Sequence, residues 1–398
     1  MVNMTLNKSS DRNGFEVDGV RMEITRPHPL VYPMSVYSIP QKDSGVNALI
    51  KLGVSIINNT PMPFHLNLFQ SFIPELVTSD GQIIQGYLVT KEVITNTQPN
   101  KLLENSQKQK TGGLQIRPES SFGFRLNAIL SWQNNSLQLK IPSPNNVLSS
   151  DNMHYFWCFD GLQAHTYQFR FILNTEDKPT DALESNLRQK TTISENRSKI
   201  LATPWVNLRL VYPLSTDNTA IEVNDIVFKV EMPKSVLNIP ARQTVTRTDV
   251  KLRIHITNNQ STVLRFYKVD SFELILIGDE GKEISFGSNP TKHVREAETI
   301  PNYHLIKPQE SAVCDLDGIL FWDCGQLDFA ISKKSPHYFT GANAFDYFLD
   351  LQPGASYQIQ VVYHVIEQKK KQLEGQLLEK VWTGWVAMPL VEFCLVES

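Results

Sequence analysis

The chain has 398 residues, 38 Lys and Arg against 41 Asp and Glu, and 41% hydrophobic residues. That length exceeds what a single hydrophobic core organises and predicts two domains. A net charge of −3 argues against general polyanion binding, no stretch reaches the roughly 18 apolar residues of a membrane-spanning helix, and four cysteines are too few for a disulfide framework.

Taken from its start, the chain opens on a polar segment, residues 1–8, without an apolar core of signal-peptide length, which predicts a cytoplasmic protein. It then begins to be written twice. Glu16-Val17 and Pro27 return as Glu222-Val223 and Pro233, and Ser35-Val36 and Ile39-Pro40 return as Ser235-Val236 and Ile239-Pro240. Lys51-Leu52, Asn58-Asn59, Ser71-Phe72 and Gly81 recur 200 positions on, as Lys251-Leu252, Asn258-Asn259, Ser271-Phe272 and Gly281. Further along, Ile129-Leu130 and Trp132 answer to Ile319-Leu320 and Trp322, and Leu137, Asp160 and Tyr167 to Leu327, Asp350 and Tyr357, now 190 apart. Trp205-Val206 and Val211 meet Trp385-Val386 and Val391 at a spacing of 180. Each fall in spacing marks a longer stretch in the first copy, 90–113 and 176–199. Both are rich in Asn, Gln, Lys and Ser, the composition of surface loops.

The repeated stretches have the period of strands. Val54-Ser55-Ile56, Phe169-Arg170-Phe171-Ile172, Leu252-Arg253-Ile254-His255-Ile256 and Tyr357-Gln358-Ile359-Gln360-Val361 alternate apolar and polar residues. Asn58-Asn59, Ser79-Asp80-Gly81, Gly278-Asp279-Glu280-Gly281 and Pro353-Gly354 supply left-handed or pre-set turn angles between them. The expectation is an all-β protein of two tandem antiparallel sandwiches, residues 10–214 and 215–398, arising from internal duplication, with one short helix at 181–190.

Two local resemblances narrow this. The stretch Leu351-Gln352-Pro353-Gly354-Ala355-Ser356-Tyr357 resembles the tyrosine corner of immunoglobulin-like and fibronectin type III-like sandwiches, in which a Tyr hydroxyl bonds back to the corner's backbone. The first copy, Leu162-Gln163-Ala164-His165-Thr166-Tyr167, keeps the Tyr without the Pro-Gly. This resemblance implies that Trp132 and Trp322 are buried anchors. Phe272-Glu273-Leu274, with the Gly281-Lys282-Glu283 turn and Pro308-Gln309-Glu310-Ser311, is similar to bacterial intracellular proteinase inhibitors, with Gln309 in place of a Gly. That similarity implies an inhibitor or regulator as one functional alternative.

Chemistry-bearing residues form no established motif. No nucleophile elbow, phosphate-cradling loop or dinucleotide turn is present, so no cofactor is expected. The nine histidines lack the zinc-protease spacing, and His65 and His255 read as polar-face strand residues. Asp315-Leu316-Asp317-Gly318 lacks the remaining ligands of a calcium loop and reads as solvated carboxylates. Cys158 and Cys394 read as small hydrophobes, and Cys314 and Cys324 as a reduced pair flanking the Trp322 strand. Lys369-Lys370-Lys371 is diluted by Glu367, Glu374 and Glu379, as in a solvated hairpin tip. The candidates for interaction are the aromatic loop His337, Tyr338 and Phe339, and Trp382, which has no counterpart in the first copy and a period-three spacing to Trp385 around a bulge at Gly384. The expected function is a non-catalytic scaffold that binds protein partners or itself through loops and sheet edges, without nucleic acid or metal. A carbohydrate-binding or carbohydrate-active protein is a further alternative.

Overall fold

The computed structural model describes residues 14–27, 34–42, 45–66, 72–92, 114–144, 153–174, 200–242, 246–267, 271–278, 281–284, 286–288, 303–333, 344–365 and 380–397. The expected helix at 181–190, the long stretch 176–199 and the basic run at 369–371 lie outside these residues. Among the described residues every regular element is a strand.

One seven-stranded sheet runs β1 (Gly14–Val17), β2 (Val20–Arg26), β4 (Ala48–Asn58), β10 (Ser120–Gln133), β11 (Ser136–Pro142), β12 (Met153–Leu162), β8 (Tyr87–Glu92). Another runs β16 (Ala220–Val223), β17 (Ile226–Glu231), β19 (Arg247–Asn258), β24 (Ser311–Asp323), β25 (Gln326–Lys333), β26 (Ala344–Phe348), β22 (Phe286–Ser288), with the same order of connections. A single eleven-stranded sheet backs both. Its path is β18 (Val236–Ile239), β30 (Val391–Glu397), β27 (Ser356–Val365), β29 (Gly384–Ala387), β3 (Ser35–Ser38), β15 (Val206–Val211), β13 (Thr166–Asn174), β6 (Phe72–Thr78), β7 (Ile83–Ile84). Off this path, β14 (Ile200–Ala202) pairs with β13 and β21 (Phe272–Gly278) with β27. Small sheets of β23 (Tyr303–Ile306), β20 (Leu264–Tyr267) and β28 (Lys380–Val381), and of β5 (Phe64–Leu66) and β9 (Leu114–Ile116), complete the fold.

Alternation puts one face of each strand inward. Ile50, Leu52, Val54 and Ile56 of β4 meet Phe169, Phe171 and Leu208 in one core, and Leu252, Ile254 and Ile256 of β19 meet Ile359, Val361 and Phe393 in another. The hairpins close on left-handed residues: Asn134 and Asn135 join β10 to β11, Cys324 and Gly325 join β24 to β25, and Asp18-Gly19 and Asn224-Asp225 do the same ahead of β2 and β17. Both tyrosine corners are present. The Gln163 N–H donates to the Tyr167 hydroxyl at 3.0 Å, and the Gln352 N–H to the Tyr357 hydroxyl at 2.6 Å. The Pro353-Gly354 corner is one residue longer, with Gly354 taking up a φ of 78°.

Several expectations are corrected. The sandwiches are not wholly antiparallel, because β3 pairs in parallel with both β15 and β29, β18 with β30, and β20 with β28. Asn58 and Asn258 adopt no left-handed angle; each is a fully buried strand end whose side chain does the turning. Asn58 Nδ2 donates to the Met62 and Ile116 carbonyls, Asn258 Nδ2 to those of Thr262 and Ile306, and each Oδ1 accepts the backbone N–H two residues on. Trp205 and Trp385 do not share a position. His364 faces Trp385 across the ladder, whereas its counterpart 190 residues earlier, Asn174, faces Ile200. Trp205 lies just before β15 under the Arg170 guanidinium, 4.3 Å from its ring.

The buried amides generate a test. Asn58→Ala or Asn258→Ala strands one buried carbonyl, one partly buried carbonyl and a backbone N–H, and each is expected to lower unfolding free energy by about 2–3 kcal/mol in urea titrations. Asn59→Ala, whose side chain reaches the exposed Glu16 carboxylate, is expected to change little.

Candidate interaction surfaces

The two halves meet at β3. All four of its residues are buried, and its alternation serves both cores: Val36 belongs to the C-terminal cluster and Tyr37 to the N-terminal one. Around it, the outward face of the β21–β27–β29 region covers the outward face of β4. Ile275, Ile277, Val362, Trp385 and Ala387 join the N-terminal core cluster together with Leu49.

Charge completes this junction. Glu273 accepts from Arg26 Nη1 and Lys51 Nζ, both at 3.1 Å, and Lys51 Nζ also lies 2.7 Å from Glu283 Oε1, whose other oxygen accepts from Asn127 Nδ2. Burial pushes the Glu273 carboxyl up, but the Lys51 and Arg26 cations more than offset this and hold it below the usual glutamate range. Gly281 comes so close that an added Cβ would lie 2.6 Å from Asn47 Nδ2, whereas Gly81 in the matching turn has open space. The connecting turn is clipped too. Lys229 Nζ lies 2.8 Å from Asp217 Oδ2, and although burial opposes it, this pair with the Thr219 bonds brings Asp217 down to about 2. A cleft of about 430 Å³ lies beside this clip, lined by Ile39, Pro213, Thr219, Lys229, Glu231 and Leu390 among others.

Of the predicted interaction residues, His337, Tyr338 and Phe339 lie outside the described residues. Trp382 is described, and it is in the core, 8% exposed, where surface exposure was expected. Its ring stacks on Phe266 at 6.0 Å and meets Phe228 at 5.3 Å and Tyr363 at 5.4 Å. The legible signal was Gly384, since an added Cβ there would stand 2.7 Å from the Trp382 ring. Trp132 and Trp322 are half-buried straps. Each indole N–H donates at 2.8 Å to a proline carbonyl, Pro40 or Pro240, beneath a cation, Lys42 or Arg242.

The remaining chemical candidates are dispersed. Asp315 faces Arg253 at 3.3 Å and Asp317 faces Lys251 at 4.0 Å, so the two carboxylates serve cross-strand cations. His255 Nε2 lies 3.1 Å from Glu231, and His65 is exposed on β5. Cys314 is buried within β24 and Cys324 is exposed in the turn after it. Ten residues of extended chain separate their Cα atoms by on the order of 30 Å, beyond any disulfide. The 307–310 turn, with Gln309 at a φ of 63°, is exposed, and the Gln309 N–H donates to the Asn258 carbonyl at 2.7 Å. Among the described residues no group of three or more His, Cys, Asp or Glu could hold a metal, and no helix is long and apolar enough to cross a membrane.

What sequence reasoning missed is the state of the sheet edges. The eleven-stranded sheet ends in β18 and β7, and each presents an exposed aliphatic, Val236 at 53% and Ile83 at 71%. No family model matches the chain, and no curated protein matches its sequence.

Two outcomes are expected. A depressed carboxyl stabilises above the ordinary glutamate pKa near 4.5, and its contribution is lost as pH falls through the lowered value. Hydrogen-exchange protection in β3 and β21, corrected for the intrinsic rate at each pH, should therefore fall below pH 4.5, and less so in Glu273→Gln. Gly384→Ala should displace Trp382, lower stability by about 1–3 kcal/mol through overpacking and alter the near-ultraviolet tryptophan dichroism.

Proposed function

We propose that the chain is a tandem pair of immunoglobulin-like sandwiches arising by internal duplication, and that it acts as a non-catalytic interaction protein. In this reading the partner is another protein, engaged through sheet edges. The identical order of the two seven-stranded sheets, the paired tyrosine corners and the matching Asn58 and Asn258 clasps support the duplication. A shared sandwich architecture alone carries no function. The observation that carries the binding reading is that, among the described residues, both ends of the eleven-stranded sheet are open, because unpaired strand edges are templates for added strands. Glu273 is already engaged across the junction of the halves, and Asp217 in clipping the connecting turn to β17.

The test is affinity capture from the native cell, followed by reconstitution with each purified candidate partner. A stoichiometric complex with a defined protein is expected, detected by light scattering. Failure of every captured protein to bind the purified chain would sink the reading.

A further inference from the structure

We propose that the outer edge of β18 is a docking position for a parallel β-strand of a partner protein, an uncharged extended segment of the kind β29 supplies to β3. The inference rests on the binding reading above and names its site. Strands β3 and β18 lie in nearly the same hexapeptide, Ser-Val-Tyr-Ser-Ile-Pro at 35–40 and Ser-Val-Leu-Asn-Ile-Pro at 235–240. Each pairs in parallel, on one side, with the last long strand of its half, β15 or β30. On its other side β3 carries Gly384–Ala387, with Ser35, Val36 and Tyr37 opposite Trp385, Val386 and Ala387. Strand β18 has no such neighbour among the described residues. The same valine reports the difference, since Val36 is 3% exposed and Val236 is 53% exposed.

The backbone of β18 is set for the same ladder. The Ser235 carbonyl accepts the Cys394 N–H on the β30 side at 2.8 Å. Alternation along a strand then turns the Val236 N–H and carbonyl toward the open edge. The edge is closed just beyond, where the Thr248 hydroxyl donates to the Asn238 carbonyl at 2.6 Å. The position matching Thr248 is Ala48, which has no hydroxyl. The docking length is therefore three residues, the length over which β3 pairs with β29.

The outer faces say why the occupant is a strand and not a whole second copy. At the junction Lys51 is 16% exposed and flanked by the buried Gly53 and by Leu49, which shares a cluster with Ile275 and Ile277 of the other half. The matching Lys251 is 48% exposed, and its flanks are Asp249 and Arg253 in surface ion pairs with Arg247 and Asp315. Stacking another half there would desolvate three ion pairs. A single strand along β18 leaves them in water.

The probe is the synthetic peptide Val-Trp-Thr-Gly-Trp-Val-Ala-Met-Pro, residues 381–389 of this chain, added to the full-length protein and read by hydrogen exchange with mass spectrometry. Exchange over 234–240 should slow by about tenfold at saturation, while a scrambled peptide has no effect. Val236→Pro should abolish the protection and Thr248→Ala should strengthen it. Because proline is tolerated at a sheet edge, an unchanged thermal midpoint verifies folding, and Val236→Lys serves if the proline variant unfolds. No protection at millimolar peptide, or protection indifferent to both Val236 variants, overturns the proposal. So does self-association of the chain that Val236→Pro abolishes, since that makes a second copy the occupant. A reconstituted partner whose binding ignores the Val236 variants also overturns it, yet leaves the binding reading standing.

Discussion

Everything in this molecule leans on one four-residue strand. Strand β3 hydrogen-bonds in parallel to β15 on one side and to β29 on the other, and its alternate side chains enter two different cores. The halves therefore share a sheet and are not beads on a linker. Parallel neighbours cannot be closed by a tight hairpin, and Ser35 finds Trp385 from 350 positions away (385 − 35 = 350). Such a pairing is available only after the C-terminal half has been made, and non-local ladders of this kind fold slowly. Until then the buried face of β3 has only β15 to cover it.

The junction around β3 spends polar groups where apolar ones would be simpler. Glu273 sits between Arg26 and Lys51, and Lys51 reaches on to Glu283. Partly buried ion pairs return little net stability after desolvation. Their value is in register: Glu273 is on β21, Lys51 on β4 and Arg26 on β2, so the network is satisfied in one stacking of the two faces. Apolar neighbours such as Leu49, Ile275 and Ile277 provide area without that discrimination.

Much of the framework could be read from residues alone. Period-two alternation located β4, β13, β19 and β27, and the resemblance of residues 351–357 to a tyrosine corner pointed to Tyr357 and, less fully, to Tyr167. What escaped depends on tertiary neighbours. The two Ser-Val hexapeptides are so alike that nothing local says which edge is covered. Trp382 was read as free for want of a counterpart, though Gly384, which leaves room for its ring, stood two residues on. The Trp-Val pairs at 205 and 385 invited a match, but Trp385 is shaped by the junction and Trp205 by a surface cation. Asn58 and Asn258 looked like turn formers; burial converts them to clasps, because an amide enclosed by orphan carbonyls satisfies them from the strand end.

The outward faces differ in kind from the faces packed at the junction. The face of β4 that is covered carries Leu49, Lys51 and Gly53, and the matching face of β19 carries Asp249, Lys251 and Arg253. At the other end, β6 presents Glu75 in an ion pair with Arg170 where β21 presents Ile275 to the junction. Both outward faces thus carry surface ion pairs where the junction carries Leu49 and Ile275. Faces can be closed by charge, but a strand edge cannot be closed by side chains alone, since its unpaired N–H and carbonyl groups belong to the backbone. On β18 that closure amounts to one threonine hydroxyl at Asn238. Among the described residues the β18 backbone groups facing that edge are those of Val236 and Asn238, and the partner strand proposed above would meet them there.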